Sequence, residues 1–171
     1  MSRWPTISDD VIELFASGVD VYIATRSKDL VPESALGMGI RVHEGRHTAT
    51  VYVPNVALER TLKNLEEPSA PVALMFCHPP TNRSVQLKGH FLGLRPSTES
   101  DREIQQIFRS AMITSFAQIG VPRALTRGLP WWPSTAIDVE VEQVFKQTPG
   151  PDAGELLRNS TLHAQGARPR G

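Results

Sequence analysis

The sequence predicts a mainly β protein with peripheral helices, its six antiparallel strands curled into a small barrel. Three observations predict it. Six β-type stretches recur between residues 19 and 146, three consecutive ones are joined by short polar turns, and helical periodicity is confined to three separate segments. A parallel layered sheet would need crossover helices between successive strands, whereas a twisted sheet of about six strands tends to close and remove its edges.

The elements follow in order. Ser8 before Asp9 and Asp10 reads as a helix N-cap with acids in the first turn. Val11, Ile12, Leu14 and Phe15 give that short lid helix an apolar side, and Gly18 ends it. Val19 to Thr25 is a β-rich run, Arg26 to Asp29 a polar turn, and Pro32 to Val42 a second extended stretch. Gly37 and Gly39 inside that stretch point to a bulge or to the close approach of a backbone or flat ligand. His43 to Arg46 turns the chain, and Thr48, Thr50 and Tyr52 alternate with Ala49, Val51 and Val53 until Pro54.

The period then changes. Between Asn55 and Glu67, Leu58, Leu62 and Leu65 share one helical stripe, away from Glu59, Arg60, Lys63 and Glu66. Pro71 to Cys77 is almost continuously apolar and predicts a central strand. From Arg83 to Leu94, Val85, Leu87 and Phe91 face one way and Ser84, Gln86, Lys88 and His90 the other, so a polar face lies opposite the core. Ser97 is the expected cap of a longer helix with Ile104, Ile107, Phe108, Met112, Phe116 and Ile119 at three-and-four spacing. After the irregular segment holding Pro122, Pro130, Trp131, Trp132 and Pro133, Ile137, Val139 and Val141 alternate with acids in a last strand. The expected organisation is one domain over residues 1–157 and a polar tail over 158–171.

Composition narrows the function classes. At 171 residues, 40% hydrophobic and 21% charged, the chain is long enough for one cored domain. Eighteen basic and eighteen acidic residues cancel, which gives no electrostatic reason to expect nucleic acid. Near the N-terminus the chain carries acid rather than a basic and apolar leader, and no apolar run approaches a membrane span, so the expected location is cytoplasmic. Cys77 is the single cysteine, expected as a small buried apolar residue, and excludes an internal disulfide. His43 and His47 lie on a β-turn without carboxylate or cysteine partners, and no metal site is expected. Trp131 and Trp132 read as an aromatic plug over the barrel end or as a pocket lining from a partner subunit.

Four segments stand in a characteristic order: Val21 to Thr25, the strand and helix from Thr50 to Leu65, Val85-Gln86-Leu87-Lys88-Gly89, and the ending Phe145 to Pro151. With them, most of residues 19–154 resembles the pyridoxamine 5′-phosphate oxidase-related FMN-binding family. The resemblance implies a six-stranded split β-barrel that forms a homodimer with FMN in the groove between subunits. It further implies that the flavin ring rests on Leu36, Gly37 and Met38, that Pro54, Asn55, Arg60 and Lys63 surround the phosphate, and that Ser84 or Gln86 lies near the ring edge. An isoalloxazine ring needs a narrow slot with few placed polar groups, and Arg60 with Lys63 at i,i+3 offers the phosphate positive charge. Both cations also fit a solvated, salt-bridged helix face, and Gln86 and Lys88 also fit a dimer interface.

The chain departs from the family pattern in three places. Val56 to Arg60 stands where Ser-Arg-Lys is usual, Ser34-Ala35 replaces an expected arginine, and the substrate-reading C-terminal phrase of the true oxidases is missing. Vitamin B6 oxidation is therefore not expected. The reading is an FMN-dependent oxidoreductase of unknown substrate. Its alternative is a non-enzymatic split-barrel binding protein that has lost flavin or holds another flat cofactor, a deazaflavin or haem.

Overall fold

The structure is a computed structural model that describes residues 6–157. The tail expected over 158–171 lies outside them.

The barrel wall consists of β1 (Asp20–Arg26), β2 (Pro32–Gly37), β3 (Ile40–Val42), β4 (Thr48–Pro54), β5 (Pro71–His78), β6 (Arg83–Pro96) and β7 (Ser134–Lys146). All strand pairs are antiparallel, in the order β2-β1-β5-β6-β7-β4-β3. The second extended stretch of the sequence is bent, and so supplies both ends of this order. Gly39, at φ +152°, makes the bend in a region that L side chains rarely adopt. The Met38 amide donates to the Tyr52 carbonyl at 2.7 Å and the Tyr52 amide to the Gly39 carbonyl at 3.1 Å, which closes the wall at that point. Beyond it β2 and β4 part. The result is an open, split barrel whose six sequence segments form seven strands.

The core follows the alternation of the strands. Val21, Ile23, Val51, Val53, Leu74, Phe76, Val85, Leu87, Ile137, Val139 and Val141 fill the interior. Each of the larger side chains contributes about 1.5–3 kcal/mol relative to exposure. Helix α1 (Asp9–Ala16) covers one opening with Val11, Leu14 and Phe15, whose ring lies 4.0 Å from that of Phe76. Ser8 stands at its N-cap but makes no side-chain bond there.

The helix expected over Asn55 to Glu67 is shorter and broken. It begins as a 3₁₀ turn at Asn55–Ala57 and continues as α2 (Glu59–Asn64), with Leu58 and Leu65 buried and Leu62 exposed. Helix α3 (Glu99–Gln118) is capped by Thr98 rather than Ser97, because Thr98 and Asp101 satisfy each other's backbone amides in a capping box. Its inner face carries Phe108 and Met112, but also Gln105 and Ser115, while Ile107 and Ile119 are exposed. A further short helix, α4 (Arg123–Arg127), lies in the segment read as irregular. Cys77 is half-buried on the outer surface, since β5 places Val72, Leu74 and Phe76 inward and Ala73, Met75 and Cys77 outward. No helix among the described residues is long and apolar enough to cross a membrane.

Candidate functional site

The candidate site is the seam where β2 and β4 separate. Leu36 is half-buried on its wall, while Gly37 and Met38 are buried. A Cβ on Gly37 would lie 3.0 Å from Val21 Cγ1 and from Val51 Cγ2, so its missing side chain spares the barrel core. At Gly39 the crowding would come from Tyr52 and Gln105. The narrowness of this region thus follows from interior packing and from the cover provided by α3.

The chain leaving β4 lines the other side of the seam. Pro54 is buried, and Asn55 is exposed with its Oδ1 accepting from the Thr135 hydroxyl at 2.9 Å, which leaves the Asn55 amide NH₂ free to donate. Helix α2 packs on β1 and β2. Arg60 reaches back to Glu33 of β2 at 3.5 Å, and Lys63 to Glu59 at 3.9 Å. The Arg60 and Lys63 side chains are 80% and 70% exposed, so both can turn toward an anion, and such pairs hold them by no more than about 1 kcal/mol. Once Arg60 leaves Glu33, these residues can offer an anion two positive charges and an amide donor.

Ser84 and Gln86 lie elsewhere. Ser84 is buried; its hydroxyl donates to the Asn82 carbonyl, and its amide donates to the Thr148 hydroxyl. Gln86 accepts from the Gln147 side chain at 3.3 Å. Register places Leu36, Tyr22, Met75, Gln86 and Phe145 in one row across the outer face. Leu36 and Gln86 are therefore three strand spacings, about 14 Å, apart within one chain. No single ring touches both in one protomer.

That row has its own electrostatics. Asp20 accepts from the Cys77 amide at 3.2 Å, and burial raises its carboxyl above the ordinary range against that hydrogen bond. Burial, with the Asp20 charge adding, also raises the Tyr22 hydroxyl. Beside the row, on β6, Lys88 Nζ sits 4.8 Å from the Phe145 ring centroid.

Among the described residues, the histidines of the β3–β4 turn and Trp131 are locally engaged. His43 Nε2 bonds the Thr50 hydroxyl and His47 Nδ1 the Gly45 carbonyl. Trp131 packs against the core with Arg102 and Arg109 of α3 over it. Sequence reading missed those arginines, since their aromatic partners lie in a proline-broken loop without periodicity.

Two solved structures illustrate the likeness of this fold to known proteins. HupZ of Group A Streptococcus is similar over 87% of this chain and 100% of its own, at 15% identity and a TM-score of 0.51. A candidate pyridoxamine 5′-phosphate oxidase of Lactobacillus delbrueckii is similar over 82% of this chain and 93% of its own, at 12% identity and a TM-score of 0.52. At such identities the likeness shows a shared fold. Neither a family model nor a curated protein matches the sequence.

Proposed function

From the split-barrel fold of the pyridoxamine 5′-phosphate oxidase-like superfamily, we propose that this protein is a homodimer that holds FMN in the seam between β2 and α2 and works as a flavin oxidoreductase. One observation supports the two-copy form of this reading: the seam and Gln86 are about 14 Å apart in one chain, so Gln86 would serve a ring in the seam only from a second copy. Leu36 and the Met38 backbone would support the ring, while Asn55, Arg60 and Lys63 would hold the phosphate. Ser84 and Gln86 of the other copy would mark the ring edge, Gln86 with its amide NH₂ available to donate. Bound flavin supplies hydride acceptance and electron transfer, so this chain need contribute only orientation, hydrogen bonds and exclusion of water.

The test is direct. Purified protein titrated into FMN is expected to quench its fluorescence at one site per chain and to sediment as a dimer. Unchanged FMN fluorescence overturns the flavin reading, and a monomer that binds FMN overturns the two-copy site.

A second reading is favoured by a specific feature: Glu33 and Glu59 place a carboxylate beside each cation meant for the phosphate. On that reading the barrel is a binding protein without flavin, or one for a flat ligand such as a deazaflavin or haem. Unchanged fluorescence of both FMN and riboflavin, with saturable binding of haem or of a deazaflavin, supports it.

A further inference from the structure

A trough of about 440 Å³ crosses the outer face of β1, β5 and β6 beyond the row of Tyr22, Met75 and Gln86. Its depth has a simple cause. Ala24 and Ala73 are direct register partners, and the next row on the same face rises to Tyr22 and Met75, so two methyl groups form a low floor beside two tall side chains. Pro71 extends the floor, and Arg26, Lys88 and His90 form the rim.

The charges on this rim are unevenly matched. Glu142, the carboxylate lining the trough, lies 3.1 Å from His90 Nε2, while His90 Nδ1 faces the Ser69 carbonyl at 2.9 Å. Nearby, Lys28 is paired with Glu67 at 2.6 Å in a neighbouring cavity that Arg26 also borders, together with Asp29 and Glu66. Among the described residues neither Arg26 nor Lys88 has a carboxylate within 4.0 Å. By contrast, both α2 cations of the seam have one. Arg26 stands two strands and two residues from Lys88, about 12 Å between Cα atoms, and both line the trough, with Lys88 Nζ resting toward the Phe145 ring on β7 and able to swing back over the floor.

We infer that this trough is a separate binding site for a small planar organic anion such as an aromatic carboxylate. The ring lies on the Ala24 and Ala73 floor, and its carboxylate is held by Lys88 and Arg26. A flat apolar floor with two rim cations that no carboxylate of the described residues pairs matches that chemistry in shape and in charge. The inference rests on the residues of the trough and does not require flavin in the seam.

The test uses the full-length ¹⁵N-labelled protein and benzoate as probe. Saturable amide shifts are expected at Ala24, Ala73, Lys88 and Gly89, with benzamide binding about tenfold more weakly for lack of the charge-assisted bonds. R26A and K88A are each expected to weaken benzoate about tenfold, while the unshifted remainder of the spectrum reports an intact fold. The site is overturned if benzamide binds as well as benzoate, if both variants bind unchanged, or if the trough amides do not respond. Displacement of benzoate by an equal concentration of inorganic phosphate means an adventitious ion only and overturns it as well.

Discussion

The Tyr52 hydroxyl donates to Asp101 Oδ1 at 2.9 Å, tying the barrel wall to the first turn of the helix that covers it. Arg95 meets the same carboxylate through both terminal nitrogens, and Thr98 donates to it through its amide and its hydroxyl. The Arg95 hydrogen bonds hold the Asp101 carboxyl well below the usual carboxylate range, burial opposes them, and Thr98 and Tyr52 add to the lowering. A carboxyl lowered on folding stabilises the protein fully above its unfolded value, near about 3.9, and loses that contribution as pH falls toward its folded value. Asp101→Asn is therefore expected to cost about 2–3 kcal/mol at pH 7, with a gap from the wild type that narrows by pH 3. Urea unfolding at the two pH values measures this, and a gap constant with pH sinks the assignment.

Two glycines of β6 give opposite expectations. At Gly89 a Cβ would fall on the Glu140 carbonyl oxygen, where the strand bulges against β7, and backbone on both sides leaves no room to adjust. Gly89→Ala is expected to lose about 3 kcal/mol or more, or to fail to fold. At Gly93 nothing lies within 4 Å of a Cβ and φ is unremarkable, so Gly93→Ala is expected to be neutral or to stabilise by about 0.4–1 kcal/mol through the unfolded chain. Thermal melts of the pair decide it, and equal effects would refute the bulge argument.

Much of the barrel was legible because alternation survives burial. The inward and outward positions of β5 and of β6 as far as Leu87 follow directly from period two. The bend at Gly39 was signalled by composition, but the fact that it places one segment at both ends of the sheet depends on long-range pairing. The α3 stripe misled at Ile107 and Ile119, because Tyr52 and Gly39 bring Asp101 and Gln105 to the barrel and rotate the helix away from its most apolar face. At the seam, sequence gave the cations Arg60 and Lys63 but not the carboxylate facing Arg60 from a strand 27 residues earlier. Ala24 and Ala73 carry no chemical signal, and only their register makes a trough.

The two-copy site predicts what happens when the outer row is charged. Tyr22 is exposed and Met75 half-buried on that row, and Asp20 and Tyr22 already shift upward through loss of solvent. Met75→Glu would place a further carboxylate near Asp20 and oppose association while leaving the interior untouched. Sedimentation is expected to show the mass of one chain with an unchanged far-UV spectrum. A dimer that persists at micromolar concentration places the contact elsewhere.

Glu33 offers the sharpest test of the phosphate end. Its carboxylate is only 27% exposed and holds Arg60 at 3.5 Å, so a phosphate must compete with a charge already in place. At that distance, with the Arg60 side chain 80% exposed, solvent screens the attraction to about 1 kcal/mol, or about fivefold in affinity. Glu33→Gln frees Arg60 and is expected to tighten FMN by about that factor while leaving riboflavin unchanged. Glu59→Gln, at 3.9 Å from Lys63 and 88% exposed, is expected to do less. Fluorescence titration of both ligands separates the cases: equal gains for FMN and riboflavin mean that Glu33 shapes the ring slot, and no gain for either means that Arg60 does not meet the phosphate.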